Sequence, residues 1–161
     1  MKIYGLVGKS GTGKSYKAMN VCRSRNIEAI IDDGLFIYNN AVQAGHSAKR
    51  DENKMTAIKT AIFQNADERA EVADTIKKVA PESILVLGTS EGMIEKICSR
   101  LGLPEVSEMI HIEDIVSAKD IKKALEQRRE KGKHVIPEPT FEKKNKITGY
   151  FLKTLNILRM K

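Results

Sequence analysis

The feature that most limits what this chain can become is the octapeptide Gly8-Lys9-Ser10-Gly11-Thr12-Gly13-Lys14-Ser15, set directly behind the apolar run from Ile3 to Val7. Glycines at 8, 11 and 13 permit backbone angles that a β-carbon would hinder. Such a stretch lets successive N–H groups curl inward around an anion. A helical pattern over 14–24 starts inside the loop. A helix beginning there adds its open N–H groups and the positive end of its dipole at the same spot. Strand, glycine loop and helix in that order open an α/β unit.

The rest of the chain continues the rhythm. Further apolar runs at 27–31, 84–87, 109–112 and 134–136 read as strands, the run at 84–87 being apolar throughout as in a strand buried on both faces. Helical stretches fall at 55–63, 66–80, 90–101 and 117–131. Pro81 stops the second of these, Ser90 and Gly102 cap the third, and Ser117 with Asp120 and Gly132 bracket the fourth. The fold expected is α/β, a three-layer doubly wound sheet of about five mainly parallel strands, with ligands beyond the C-terminal strand ends. Residues 1–136 form its domain, and 137–161 are a basic tail packed on it or extending from it. Residues 34–66 are polar and mixed, and read as an insertion carrying one helix.

Charge is unevenly placed. The first 119 residues carry 16 basic and 16 acidic side chains, so the whole net charge of +7 comes from the remainder, with 12 basic and 5 acidic. That is a local basic surface suited to phosphate, nucleic acid or an acidic partner. No apolar run approaches the roughly 18–20 residues that span a bilayer, so no membrane role is expected. The opening apolar run is short for a secretory signal and passes straight into the glycine loop. Cys22 and Cys98 have neither metal-like nor redox spacing and fall on apolar helix positions. Together these point to a reducing, cytoplasmic setting.

The pattern G-x-x-x-x-G-K-[ST] occurs once, at Gly8, Gly13, Lys14 and Ser15, between an apolar strand and a helix. It resembles the Walker A motif of the P-loop NTPase superfamily. The resemblance covers the first ~35 residues and, beyond them, only the α/β rhythm. It implies a P-loop architecture, a nucleoside triphosphate and Mg²⁺. Carried over residue by residue, Gly8, Ser10, Gly11, Thr12, Gly13, Lys14, Ser15 and Tyr16 would line the nucleotide phosphates. Lys14 would meet the β- and γ-phosphates, and the Ser15 hydroxyl would reach Mg²⁺.

Three branches of that superfamily can be weighed. The guanine motif N-K-x-D of small GTPases is absent, since Asn145-Lys146-Ile147-Thr148 lacks the Asp, which favours ATP over GTP. Motor and transporter ATPases end a central strand in an acid. Here Leu87 is followed by Gly88-Thr89-Ser90, with no acid before Glu91. Thr89 and Ser90 can hold phosphate or orient water, or Ser90 can simply cap a helix. Small kinases place an Asp after the second strand, and Asp32 and Asp33 follow Lys14 by 18 and 19 residues. The nucleoside-kinase-like branch is therefore the most similar, with Asp32 and Asp33 as metal ligands or base. Asp-Asp-Gly is also good turn chemistry.

Within that reading, 34–66 is the acceptor or lid insertion, where His46, Lys49 and Arg50 can grip an anion or merely be solvated. Arg128 and Arg129, at the end of the 117–131 helix, can cover the transferred phosphate or simply suit a helix C-terminus. His111 and His134 sit on strands and read as core or edge residues.

The function expected is transfer of the ATP γ-phosphate with Mg²⁺ to an unidentified small-molecule or protein acceptor. The alternative is an ATP-dependent regulatory module of slow or no hydrolysis that uses the basic tail on a partner. A weaker third reading has Phe141, Tyr150 and Phe151 stack on nucleic-acid bases among the tail lysines.

Overall fold

A computed structural model describes residues 1–115 and Glu126. The chain runs β1 (Lys2–Val7), α1 (Lys14–Arg25), β2 (Ala29–Asp32), β3 (Leu35–Tyr38), β4 (Ala41–Gly45), α2 (Lys54–Ala61), α3 (Ala66–Val79), β5 (Ser83–Gly88), α4 (Glu91–Leu101) and β6 (Val106–His111). The six strands form one sheet in the order β4-β3-β2-β5-β1-β6. The pairings β1–β5, β1–β6 and β2–β5 are parallel, whereas β2–β3 and β3–β4 are antiparallel.

Layering follows from the alternation of side chains along each strand. Tyr4, Leu6, Leu85, Leu87, Ile30 and Ile110 point to the face covered by Ala18, Met19, Val21 and Cys22 of α1. Ile3, Val7, Ile84, Val86 and Ile31 point to the other face, under Val72 and Ile76 of α3 and Ile94, Ile97 and Leu101 of α4. Every residue of β5 is buried, as expected for a parallel strand covered on both sides. Burying each large apolar side chain in such a core contributes about 1.5–3 kcal/mol. Gly5 allows the tight fit on the α4 face, because a β-carbon there would come within 2.5 Å of the Met109 sulfur.

The expectation of about five mainly parallel strands is corrected to a mixed sheet of six among the described residues. The four expected strands in this region are present. The addition is the β3–β4 hairpin, in the stretch read from sequence as a polar insertion carrying one helix. Its cause is turn chemistry. Asp33 and Gly34 join β2 to β3 with φ of 50° and 87°, and Asn39 and Asn40 join β3 to β4 with φ of 54° and 66°. Two successive positive-φ residues make the tight turn whose twist matches that of paired strands. Asp32 therefore pairs with Leu35, and Tyr38 with Ala41. The expected strand at 134–136, the helix at 117–131 and the 137–161 tail lie outside the described residues. No helix among the described residues is long and apolar enough to cross a membrane.

Candidate functional site

The glycine loop leaves the C-terminal end of β1, between the ends of β5 and β6. The Gly8 N–H donates to the Gly88 carbonyl at 3.0 Å, and Val7 is in register with both Gly88 and His111. Gly8 has no room for a side chain, since a β-carbon would lie 2.8 Å from Ile112 and 2.9 Å from both Lys14 and Thr12. Gly13 is glycine for a different reason. Its surroundings are open, but its φ of 87° is strained for any other residue. Gly11 has φ of 82°. Thr12 is buried and closes the loop on itself, its hydroxyl donating to the Lys9 carbonyl at 2.7 Å. Ser10 at the tip is exposed.

The start of α1 differs from the other helices. Asn53, Asn65 and Ser90 cap α2, α3 and α4 with side-chain oxygens. Gly13 at the head of α1 offers no side-chain cap, and no acid lies in the first turn. Four N–H groups at a helix start need partners, and an anion supplies them. The Lys14 ammonium folds back to the Lys9 carbonyl at 3.3 Å. Tyr16 is turned towards the α1-face core, with the Lys17 ammonium 5.4 Å from its ring centre.

Across the sheet, β2 ends beside this loop. The Ser15 hydroxyl donates to the Asp32 carboxylate at 2.7 Å, and Asp32 is buried at 6% exposure. Asp33 sits in the turn with its carboxylate 3.3 Å from the Lys49 ammonium. Burial and then the adjacent Asp32 charge push the Asp33 carboxyl above its ordinary value, while Lys49 and Lys14 oppose the rise. Asp32, Asp33, Lys14 and Lys49 thus share one electrostatic neighbourhood. An oxygen-rich acid pair beside a serine hydroxyl is the donor set that Mg²⁺ takes, and the open α1 head with Lys14 suits a phosphate chain. Ser15 and Asp32 together could hold a hard cation such as Mg²⁺, and the loop with Lys14 could hold a phosphate group.

The 34–66 residues read as anion-gripping are engaged by the chain itself. His46 stands between Asp51 at 3.1 Å and Glu68 at 2.9 Å, and Lys49 holds Asp33. Arg50 carries a buried Nε with no hydrogen-bond partner among the described residues. At the end of β5, Ser90 is a helix cap that accepts the Met93 N–H at 3.1 Å, and the Thr89 N–H points at the Met93 sulfur. Arg128, Arg129 and His134 lie outside the described residues. Cys22 and Cys98 are buried thiols, pushed up to about 12 and about 11 by burial.

One pair escaped the sequence reading. His111, taken there as a core or edge residue, meets the Glu91 carboxylate at 2.7 Å across the end of β1. The available signal was positional: Glu91 follows β5 and His111 ends β6, the two neighbours of β1. No group of His, Cys, Asp and Glu side chains among the described residues is arranged to hold a metal by itself.

Comparison of the chain with protein-family models, with curated proteins and with solved structures returned no match.

Proposed function

We propose that this chain is an ATP-binding protein of P-loop type that works as a kinase-like, Mg²⁺-dependent phosphotransferase. The observation that carries the reading is the Ser15–Asp32 hydrogen bond beside a glycine loop that opens α1. It joins the residue suited to a loop-side metal position with an acid from a different strand. The parallel strands β2-β5-β1-β6 support the same view, since the loop leaves the C-terminal end of β1, between β5 and β6.

In this reading the loop amides from Gly8 to Ser15 and the Lys14 ammonium hold the phosphates. Ser15 and Asp32 hold the metal, which supplies charge neutralisation to the transferring phosphoryl group. Asp33 stands beside them as the second acid, within reach of an acceptor proton in the sequence reading. Arg128 and Arg129 remain candidates for covering the phosphates. The test is a Mg·ATP binding titration followed by a phosphoryl-transfer screen over small metabolites and proteins. An absence of nucleotide binding would end the reading, and binding without any acceptor would leave the binding half alone.

A second reading, a nucleotide-dependent regulatory module that acts on a partner through the basic tail, is favoured by one observation. The β5 terminus carries a helix cap where a hydrolytic acid would stand. Removal of residues 141–161 discriminates the two. Loss of partner binding with unchanged nucleotide affinity favours the module.

A further inference from the structure

The β3–β4 hairpin and the turn after it bring one lysine to the acid pair, and the construction around that lysine is dense. Gly34 and Gly45 lie against each other. A β-carbon on Gly34 would come within 2.6 Å of the His46 carbonyl, and one on Gly45 would fall on the Gly34 carbonyl. The Ala48 N–H donates to the Asp33 carbonyl at 2.7 Å, and the Ser47 hydroxyl accepts the Lys49 N–H at 3.2 Å. These contacts fix the backbone on either side of Lys49 against the turn that carries Asp33. The Lys49 side chain is only 9% exposed.

The turn itself requires neither charge. Asn or Gly serves a positive-φ turn position as well as Asp. The ion pair is also a poor source of stability, since the Asp33 side chain keeps 33% exposure and solvent screens the attraction. The pair therefore calls for another reason, and Asp33 indicates where to look. It directly follows Asp32, whose carboxylate accepts the Ser15 hydroxyl at 2.7 Å. The acid that holds Lys49 is thus the chain neighbour of the acid that meets the glycine loop.

We propose that Lys49 is a second cation of the nucleotide site, paired with Asp33 and serving the terminal phosphate of a bound Mg·nucleoside triphosphate. The proposal rests on the P-loop reading above and deepens it. Loop lysine, hairpin lysine and metal would then surround the phosphate that carries the most charge. A diphosphate lacks that group, so Lys49 should discriminate triphosphate from diphosphate. A charge-assisted hydrogen bond of about 1.5–3 kcal/mol corresponds to roughly tenfold or more in affinity.

The experiment is calorimetric titration of the full chain with Mg·ATP and Mg·ADP, for wild type, Lys49→Met, Lys49→Arg and the double variant Asp33→Asn/Lys49→Met. Lys49→Met is expected to weaken Mg·ATP about tenfold and Mg·ADP less than about threefold, with Lys49→Arg keeping most of the preference. The double variant removes both charges together, so it guards against a fold weakened by an unpaired, half-buried Asp33. It is expected to lose the triphosphate preference as well. If it binds Mg·ATP like wild type, or if ATP and ADP affinities fall in parallel, Lys49 merely neutralises Asp33 and the proposal is overturned. A wild type that binds neither nucleotide overturns the P-loop reading itself, a separate result.

Discussion

The Ser15 hydroxyl donates to the Asp32 carboxylate at 2.7 Å, joining the first turn of α1 to the last residue of β2 across a gap that the intervening strand β5 keeps fixed. That bond turns a sequence motif and a distant acid into one candidate metal position. Asp32→Asn keeps the shape and an acceptor oxygen but removes the charge. It is expected to weaken Mg²⁺-dependent nucleotide binding at least about tenfold, with little effect on binding measured without metal. Titration with and without Mg²⁺ checks this. Equal affinities of Asp32→Asn and wild type in the presence of the metal would remove Asp32 from the site.

How much of this was legible in the sequence depends on the range of the cause. The glycine loop, α1, β5 and the caps at Ser90 and Gly102 follow from neighbours a few residues apart, and the structure has them where the pattern put them. The hairpin was also written locally, in Asp33-Gly34 and Asn39-Asn40. Asp33-Gly34 reads as turn chemistry but Asn39-Asn40 only as polarity, so the two turns do not join into a hairpin until both are seen as adjacent positive-φ pairs. The side chain of Lys49 is different. Its nearness to Asp33 depends on sheet extension, two turns and the packing of Gly34 on Gly45, none of which a spacing rule expresses. Glu91 and His111 likewise meet only because β5 and β6 both flank β1, a fact of strand order.

The hairpin makes a stability prediction. Gly45 has φ of 88°, and a β-carbon there would fall on the Gly34 carbonyl, which is backbone and cannot step aside. Gly45→Ala is therefore expected to cost about 3 kcal/mol or more, through strain and the loss of the turn that carries Lys49. Asn40→Gly, at φ of 66°, is expected to be neutral or slightly stabilising, because glycine suits that position. Urea unfolding of the two variants gives the comparison. Similar midpoints would mean the hairpin does not pack as described.

Asp33 makes a prediction about pH. Its carboxyl is raised above its ordinary value by burial and by the adjacent Asp32 charge. The folded state therefore holds the proton more tightly than the unfolded chain. In the window from the ordinary value up to the raised one, the native state binds more protons, so this residue's contribution to stability falls as pH rises. The double variant Asp33→Asn/Lys49→Met should lack that decline. Measured across that window, the unfolding free energy of wild type is expected to fall relative to that of the double variant as pH rises. A difference that stays constant with pH would contradict the raised carboxyl.

The cysteines provide a check on the two faces of the sheet at once. Cys22 lies on the sheet-facing side of α1 and Cys98 on that of α4, and burial pushes their thiols up to about 12 and about 11. A thiol is attacked as its thiolate, and at neutral pH such groups hold only a minute thiolate fraction. The folded protein is therefore expected to react with a thiol reagent at least about a hundredfold more slowly than a free cysteine, whose pKa lies near 8.5. Both residues should react fully once the chain is unfolded in urea. Rates followed by mass spectrometry assign each site. Fast labelling of Cys98 alone would show that α4 opens from its face, and fast labelling of Cys22 alone would place the opening at α1, the helix that carries Lys14 and Ser15.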